Sequence, residues 1–295
     1  MFVARIKDKM KITALILVAM LTLISCSDNT FELEQQLAMV KPITCDDFQA
    51  ANTEMGLLYN NVWNKQAAHN HSSSQCLISR IVEGKTQFGW SWDWPQGNPV
   101  IYAYPQIKVG ASPWQPEPNF NKTFPVKIAS LTSLSLSFDL AILSNGNYNI
   151  ASSMWITKTA VTGAQAQPAS IAAEIMVWTF ATQHHFSPGG QKTDEFTLGE
   201  QTWEVWLDKN WQDASGANAN KWIYIAFKAK TNTLSHNIDM LGLLHYALAK
   251  QLIESDYYVA DVELGNELMG GKGLVWINSF NVSLQQQANA FMPPR

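Results

Sequence analysis

Two acidic residues in this chain stand where a carboxylate could do chemistry. In the run Ile171-Ala172-Ala173-Glu174-Ile175-Met176-Val177-Trp178-Thr179-Phe180, the period of two in an extended strand sends Ile171, Ala173, Ile175 and Val177 to one face. Glu174, Met176, Trp178 and Phe180 go to the other. A carboxylate flanked by Met and Trp looks onto the floor of a groove, where its neighbours tune its ionisation. In a second run, Val259 to Gly271, the same period gathers Asp261, Glu263, Gly265 and Glu267 on one face, with Val262 and Leu264 behind. Two carboxylates on neighbouring strands of one groove meet the needs of glycoside hydrolysis. One attacks the anomeric carbon; the other protonates the leaving oxygen and then activates water. Spacing alone also fits a pair of solvated acids on outward strand faces.

The elements that must hold these residues read as strand after strand, broken by turns rich in Gly, Asn, Pro and Ser. Residues 131–140 alternate apolar and polar side chains, the mark of a half-buried antiparallel strand. Similar runs cover 127–142, 171–180, 203–207, 222–228, 257–264 and 274–284, and Asn145-Gly146 is a turn. One segment has helical spacing. Over 238–252 the residues Ile238, Leu241, Leu244, His245, Leu248 and Leu252 fall on one stripe, after the polar starters Ser235 and Asn237. A single helix in an all-β chain predicts a two-sheet antiparallel sandwich with that helix packed on the outside.

Several motifs share one order with a known family. Glu174-Ile175-Met176-Val177-Trp178 resembles the nucleophile strand of glycoside hydrolase family 12, commonly Glu-Leu-Met-Ile-Trp. Gly265-Asn266-Glu267 is similar to its Gly-Thr-Glu acid/base segment, followed by a Gly-rich turn and a closing strand. Tyr59-Asn60-Asn61-Val62-Trp63 resembles the Asn-Asn-Leu-Trp block, and Gly89-Trp90-Ser91-Trp92 with Ala103-Tyr104-Pro105 resembles the block after it. The likeness runs from about Cys45 to Leu284. It implies a β-jelly roll with a concave, open cleft and endo action on a β-1,4-glucan: linear, mixed-linkage or xyloglucan. It implies Glu174 as nucleophile and Glu267 as general acid/base, with carboxyls about 5 Å apart for retention. Glu267 would need a raised pKa, and Glu174 must stay ionised. Trp63 would stack a sugar, with Asn61 hydrogen-bonding nearby; Trp92 belongs to the substrate-binding set. Met176 and Trp178 would line the floor, and Ser187-Pro188-Gly189-Gly190 would arch over the cleft as a short cord, placing Pro188 at the substrate.

Other residues rest on their own pattern. Trp206 shares a strand face with Glu204 and lines either the cleft or the core, whereas Trp203 is expected in the core. Glu263, on the face of Glu267, is read as a supporting acid or a solvated edge residue. One position departs from the family. Where it has Tyr-Asp-Leu-Trp/Phe beside the nucleophile, this chain has Ser152-Ser153-Met154-Trp155, with Ser153 at the Asp position. A Ser153 hydroxyl could donate to Glu174 without adding a second negative charge; alternatively Asp139 or Asp261 takes that role. The rival functions are a non-catalytic glucan-binding lipoprotein on the same scaffold and a structural or adhesive envelope protein.

Composition narrows the partners. The formal net charge is −4. Residues 1–25 read as a lipoprotein signal peptide, with a basic stretch (Arg5, Lys7, Lys9, Lys11), an apolar run of about 13 residues, too short to span a bilayer, and Leu23-Ile24-Ser25-Cys26. That segment carries a net +3, so the remainder stands at −7, which argues against nucleic acid. Acylation at Cys26, a flexible tether over 26–42 and a catalytic domain over 43–295 are the expected layout, in an exported, lipid-anchored or secreted protein, monomeric. Cys45 and Cys76 then form an even pair, read as a disulfide. No metal or organic cofactor is expected: His184 and His185 adjoin, and His69 and His71 share a loop, without metal-site spacing. Twelve Trp residues among few charges suit stacking on pyranose faces.

Overall fold

The structure is a computed structural model that describes residues 31–69, 71–97, 99–113, 121–162, 167–182, 187–212 and 220–287. The alternating sequences form a two-sheet β-jelly roll. The back sheet runs β1 (Lys41–Thr44), β4 (Ser74–Val82), β5 (Lys85–Trp94), β17 (Leu268–Gln286), β8 (Leu131–Ser144) and β14 (Ser235–Asp239). The front sheet runs β2 (Ala50–Asn52), β3 (Leu57–Tyr59), β6 (Gln106–Gly110), β16 (Asp261–Gly265), β9 (Asn147–Thr157), β10 (Ile171–Ala181), β13 (Trp222–Ala229), β12 (Gln201–Trp211) and β11 (Gln191–Leu198). Short β15 (Tyr258–Val259) continues the line of β16 between β9 and β7 (Val126–Lys127). The strand expected over 127–142 therefore begins at Leu131, and the turn at Asn145-Gly146 joins β8 to β9.

The inner faces of both sheets meet in one core. Leu77, Trp90, Trp92 and Trp94 of the back sheet pack with Ile150, Met154, Ile156, Ala173, Ile175, Val177, Val262 and Leu264 of the front sheet. Burying such side chains contributes about 1.5–3 kcal/mol each. The antiparallel pattern has one exception: β10 and β13 pair in parallel, with Glu174 opposite Tyr224 and Met176 opposite Ala226. Cys45 and Cys76 form the expected disulfide.

Among the described residues the expected helix is present and a second α-helix accompanies it. The helix expected over 238–252 is α2 (Met240–Ala249), because residues 235–239 pair with β8 as β14 and Asp239 accepts from the Gly242 N–H as N-cap. The other, α1 (residues 31–39), occupies most of the expected tether. Leu33, 1% exposed, and Leu37 sit on Ile78, Leu274 and Trp276. In β17 these alternate with the core residues Val275 and Ile277, so α1 covers the outer face of the back sheet, opposite the cleft. Tethering over 26–42 is corrected to this extent: residues 31–39 are helical and dock on the back sheet. Cys26, His184, His185 and the rest of the signal segment lie outside the described residues.

Candidate active site

The outward face of the front sheet carries an aromatic floor. Met176, Trp178, Tyr224, Ala151 and Ala226 form a buried cluster with Trp206 and Trp211 against it, and Trp155, Ile171, Trp222 and Ala260 form a second. Glu174 lies among them. Its Oε2 accepts a hydrogen bond from Trp222 Nε1 at 3.1 Å, and the Trp222 ring meets Trp155 edge-on at 5.8 Å. Trp155 is the β9 partner of Glu174 across the ladder. Two β-bulges in β10, at 171–173 and 178–180, change the parity expected from sequence. Ile171 faces the site with Trp155 and Trp222, and Phe180 turns away to stack on Tyr148 at 5.6 Å.

Glu267 sits between β16 and β17, where three ties fix the chain. Buried Asn266 accepts from Trp90 Nε1 across the core at 2.6 Å, its backbone N–H reaches Pro105 O at 3.3 Å, and the Leu268 N–H reaches Ala103 O at 3.0 Å. Gly265 must be small, since a Cβ there would lie 2.4 Å from Pro105 O. Asn149, fully buried, holds Glu267 on both sides. Its Oδ1 accepts the Glu267 N–H at 2.8 Å and its Nδ2 donates to Glu267 Oε2. Burial pushes the Glu267 carboxyl up to about 7, against the opposing pull of the Asn149 hydrogen bond.

Both acids bear on the same two buried phenols. Tyr104 and Tyr224 are held well above the usual tyrosine range, first by burial and then by negative charges that in each case include Glu267 and Glu174. Tyr104 donates to Ala151 O at 2.8 Å and Tyr224 to Met176 Sδ at 3.4 Å. Glu174, on β10, and Glu267, in the link from β16 to β17, thus act on the same pair of phenols, an arrangement able to present a nucleophile and a proton donor to a single bond.

The remaining expected residues divide. Met176 and Trp178 lie in the floor, and Trp206, partly exposed, packs with them; Trp203 is in the core. Pro188 is buried, and the backbone of Gly189 hydrogen-bonds the Tyr224 phenol, bringing residues 187–190 onto the floor. Gly190 takes φ +77° where a Cβ would meet Leu207 O at 2.3 Å, so only glycine suits that turn. Asn61 is 8% exposed, with a buried Oδ1 that has no hydrogen-bond partner among the described residues, and its carbonyl accepts from the Tyr104 N–H at 2.9 Å. Trp63 is half-buried in the loop after β3. Trp92 is a correction: it is 2% exposed within the core and packs edge-on to Tyr148, because β5 turns Trp90, Trp92 and Trp94 inward together.

Ser153 is a second correction. It stands opposite Met176 on one side and Glu263 on the other, and its buried hydroxyl has no hydrogen-bond partner among the described residues; the Trp222 indole makes a contact to Glu174 of the kind expected of it. Asp139 lies on β8 in the back sheet, hydrogen-bonded to Asn278 at 3.2 Å. Asp261 and Glu263 are buried beside the floor. Sequence reading missed Asn149, Trp222 and Tyr224. Period two applied to the run over 222–228 puts Trp222 and Tyr224 on one face, but no local signal says that β13 pairs with β10.

Comparison with known proteins agrees with this fold. The family model described as "Glycosyl hydrolase family 12" matches residues 57–285. The chain is 27% identical over 229 residues to "Endoglucanase S" of Pectobacterium parmentieri, covering 77% of this chain and 81% of that protein. It is 23% identical over 250 residues to "Xyloglucan-specific endo-beta-1,4-glucanase A" of Emericella nidulans, covering 81% and 90% respectively. A native family 12 xyloglucanase from Bacillus licheniformis has the same fold, with a TM-score of 0.70 at 24% identity over 82% of this chain and 99% of that one.

Proposed function

The chain belongs to glycosyl hydrolase family 12, and on that premise we propose that it cleaves internal β-1,4 bonds of glucan polymers with retention of configuration. The observation that carries this reading is the pairing of Glu174 and Glu267 around Tyr104 and Tyr224, with the Glu267 carboxyl raised to about 7. The Glu174 carboxylate attacks the anomeric carbon while Glu267 passes its proton to the departing glycosidic oxygen. Glu267, now ionised, takes a proton from water, and that water displaces Glu174 from the sugar. The Trp222 indole holds Glu174 in line, and Asn149 holds Glu267. Trp206, the partly exposed member of the floor, takes a sugar face with Met176 and Trp178 packed beneath it, Trp63 extends the platform, and Asn61 hydrogen-bonds a sugar hydroxyl. The open cleft admits a polymer anywhere along its length, and the reaction draws on side chains alone.

The same reading gives an exported, monomeric protein, acylated at Cys26. It rests on the basic and apolar segment before Leu23-Ile24-Ser25-Cys26, and on the Cys45–Cys76 disulfide, which suits an oxidising compartment. Radiolabelled palmitate incorporated by the wild type and lost in Cys26→Ser would support the anchor; equal labelling of both would overturn it.

Activity is tested by reducing-sugar release from carboxymethylcellulose, mixed-linkage β-glucan and xyloglucan. The wild type is expected to cut at least one, and Glu174→Ala and Glu267→Ala to lose about a hundredfold or more. A folded wild type that cuts none, or variants that keep full activity, would overturn the assignment. The polymer cut fastest names the substrate.

A further inference from the structure

On the cleft side of β6 and β16, four buried side chains form a cluster that no step of the hydrolysis uses. Lys108 and Asp261 are 0% exposed, Ser112 0% and Glu263 4%. Lys108 Nζ donates to Ser112 Oγ at 3.0 Å and lies 3.6 Å from Glu263 Oε1, directly across the ladder. Ser112 Oγ lies 2.6 Å from Glu263 Oε1 and 2.7 Å from Asp261 Oδ2.

These contacts can be counted in protons. A serine hydroxyl owns one, and its lone pairs face any further acceptor. It can donate to one carboxylate; the second short contact is attractive only if the other carboxyl brings its own proton. The cluster then holds one ammonium, one carboxylate and one neutral carboxyl, a sum of zero, which burial of this depth demands. Burial and the charge of Glu263 both push the Asp261 carboxyl upward, the direction this count requires.

The cluster also touches the site. Asp261 Oδ1 accepts the Trp155 backbone N–H at 3.1 Å. Trp155 is the ladder partner of Glu174, and its ring packs against Trp222, whose indole donates to Glu174. We infer that Lys108, Ser112, Asp261 and Glu263 form a charge-neutral positioning cluster with one shared proton, which fixes Trp155 and through it the Trp222 indole against Glu174. Among the described residues, the Tyr104 phenol faces Glu263 and Asp261 of the cluster as well as Glu174 and Glu267, and the Tyr59 ring lies 5.0 Å from Lys108 Nζ. Its catalytic consequence rests on Glu174 being the nucleophile.

Charge-balanced variants test it. Asp261→Asn replaces a protonated acid by a neutral isostere and leaves the cluster at zero charge, so the Trp222 indole resonance should stay at its wild-type position and any loss of kcat should be smaller than in Lys108→Met. Lys108→Met leaves the cluster short of a positive charge; kcat should fall about 10- to 100-fold with KM little changed, as for a displaced reacting group. The double variant Lys108→Met/Glu263→Gln restores neutrality and should recover most of that loss. In parallel, the Trp222 indole N–H resonance of 15N-tryptophan-labelled protein, assigned with Trp222→Phe, should move in Lys108→Met and return in the double variant. If Lys108→Met does not fold, Ser112→Ala, which removes the bridge and no charge, must move that resonance. An unmoved resonance in a folded variant, or Asp261→Asn as damaging as Lys108→Met, would overturn the inference. A wild type that cuts no glucan would instead sink the proposed function and leave the resonance to decide the cluster alone.

Discussion

Glu267 shows what a site asks of one residue. Its carboxyl titrates about 7 in the fold against an ordinary 4.5, so the folded state holds a proton that the unfolded chain has released between those values. Folded stability therefore falls as pH rises from about 4.5 to 7. Glu267→Gln removes that cost. Chemical denaturation should find the variant about 1–3 kcal/mol more stable than wild type at pH 8 and equal to it at pH 4, while inactive. Asn149 works in the other direction, donating to the ionised carboxylate. Asn149→Ala should move the alkaline limb of the kcat profile to higher pH; a limb moved to lower pH would contradict the hydrogen bond's role. Both acids were named from sequence by strand parity and short motifs, although Glu267 itself lies in the link between β16 and β17, and their roles are those proposed above. Asn149 lies 118 residues from Glu267, and nothing local to either residue announces the contact.

Elements were legible in kind and less so in phase. The strand over 171–180 was readable from its alternation, yet two bulges exchange the faces of Ile171 and Phe180, because an inserted residue leaves composition unchanged while reversing parity. α2 begins two residues later than its apolar stripe suggests, since pairing with β8 holds residues 235–239 as a strand. α1 was missed altogether, being short and rich in Glu and Gln; only Leu33 and Leu37 mark its buried side, and their receptor, Leu274 and Trp276, is far along the chain. Leu33→Asp would drive a carboxylate into that contact. It is expected to lower stability by about 2–4 kcal/mol in urea titration and to leave kcat unchanged. A large loss of kcat in the folded variant would mean that the back sheet communicates with the cleft.

The whole molecule is a long sandwich whose function occupies one outer face. Two-sheet architecture followed from the sequence because alternation recurs along nearly all of it, whereas the parallel β10–β13 pair, a long-range choice of neighbour, did not. The Cys45–Cys76 link closes a loop of 31 residues at the edge of the back sheet. Replacing both cysteines by Ala should cost about 3–4 kcal/mol through the freed unfolded chain, read as a lowered melting temperature with activity retained at 25 °C. The docking of α1 on the outer back face has a mechanical meaning. Any pull transmitted through the segment preceding residue 31 enters the molecule through Leu33 and Leu37 onto Ile78, Leu274 and Trp276, so that load falls on the back sheet and not on the aromatic floor that holds Glu174.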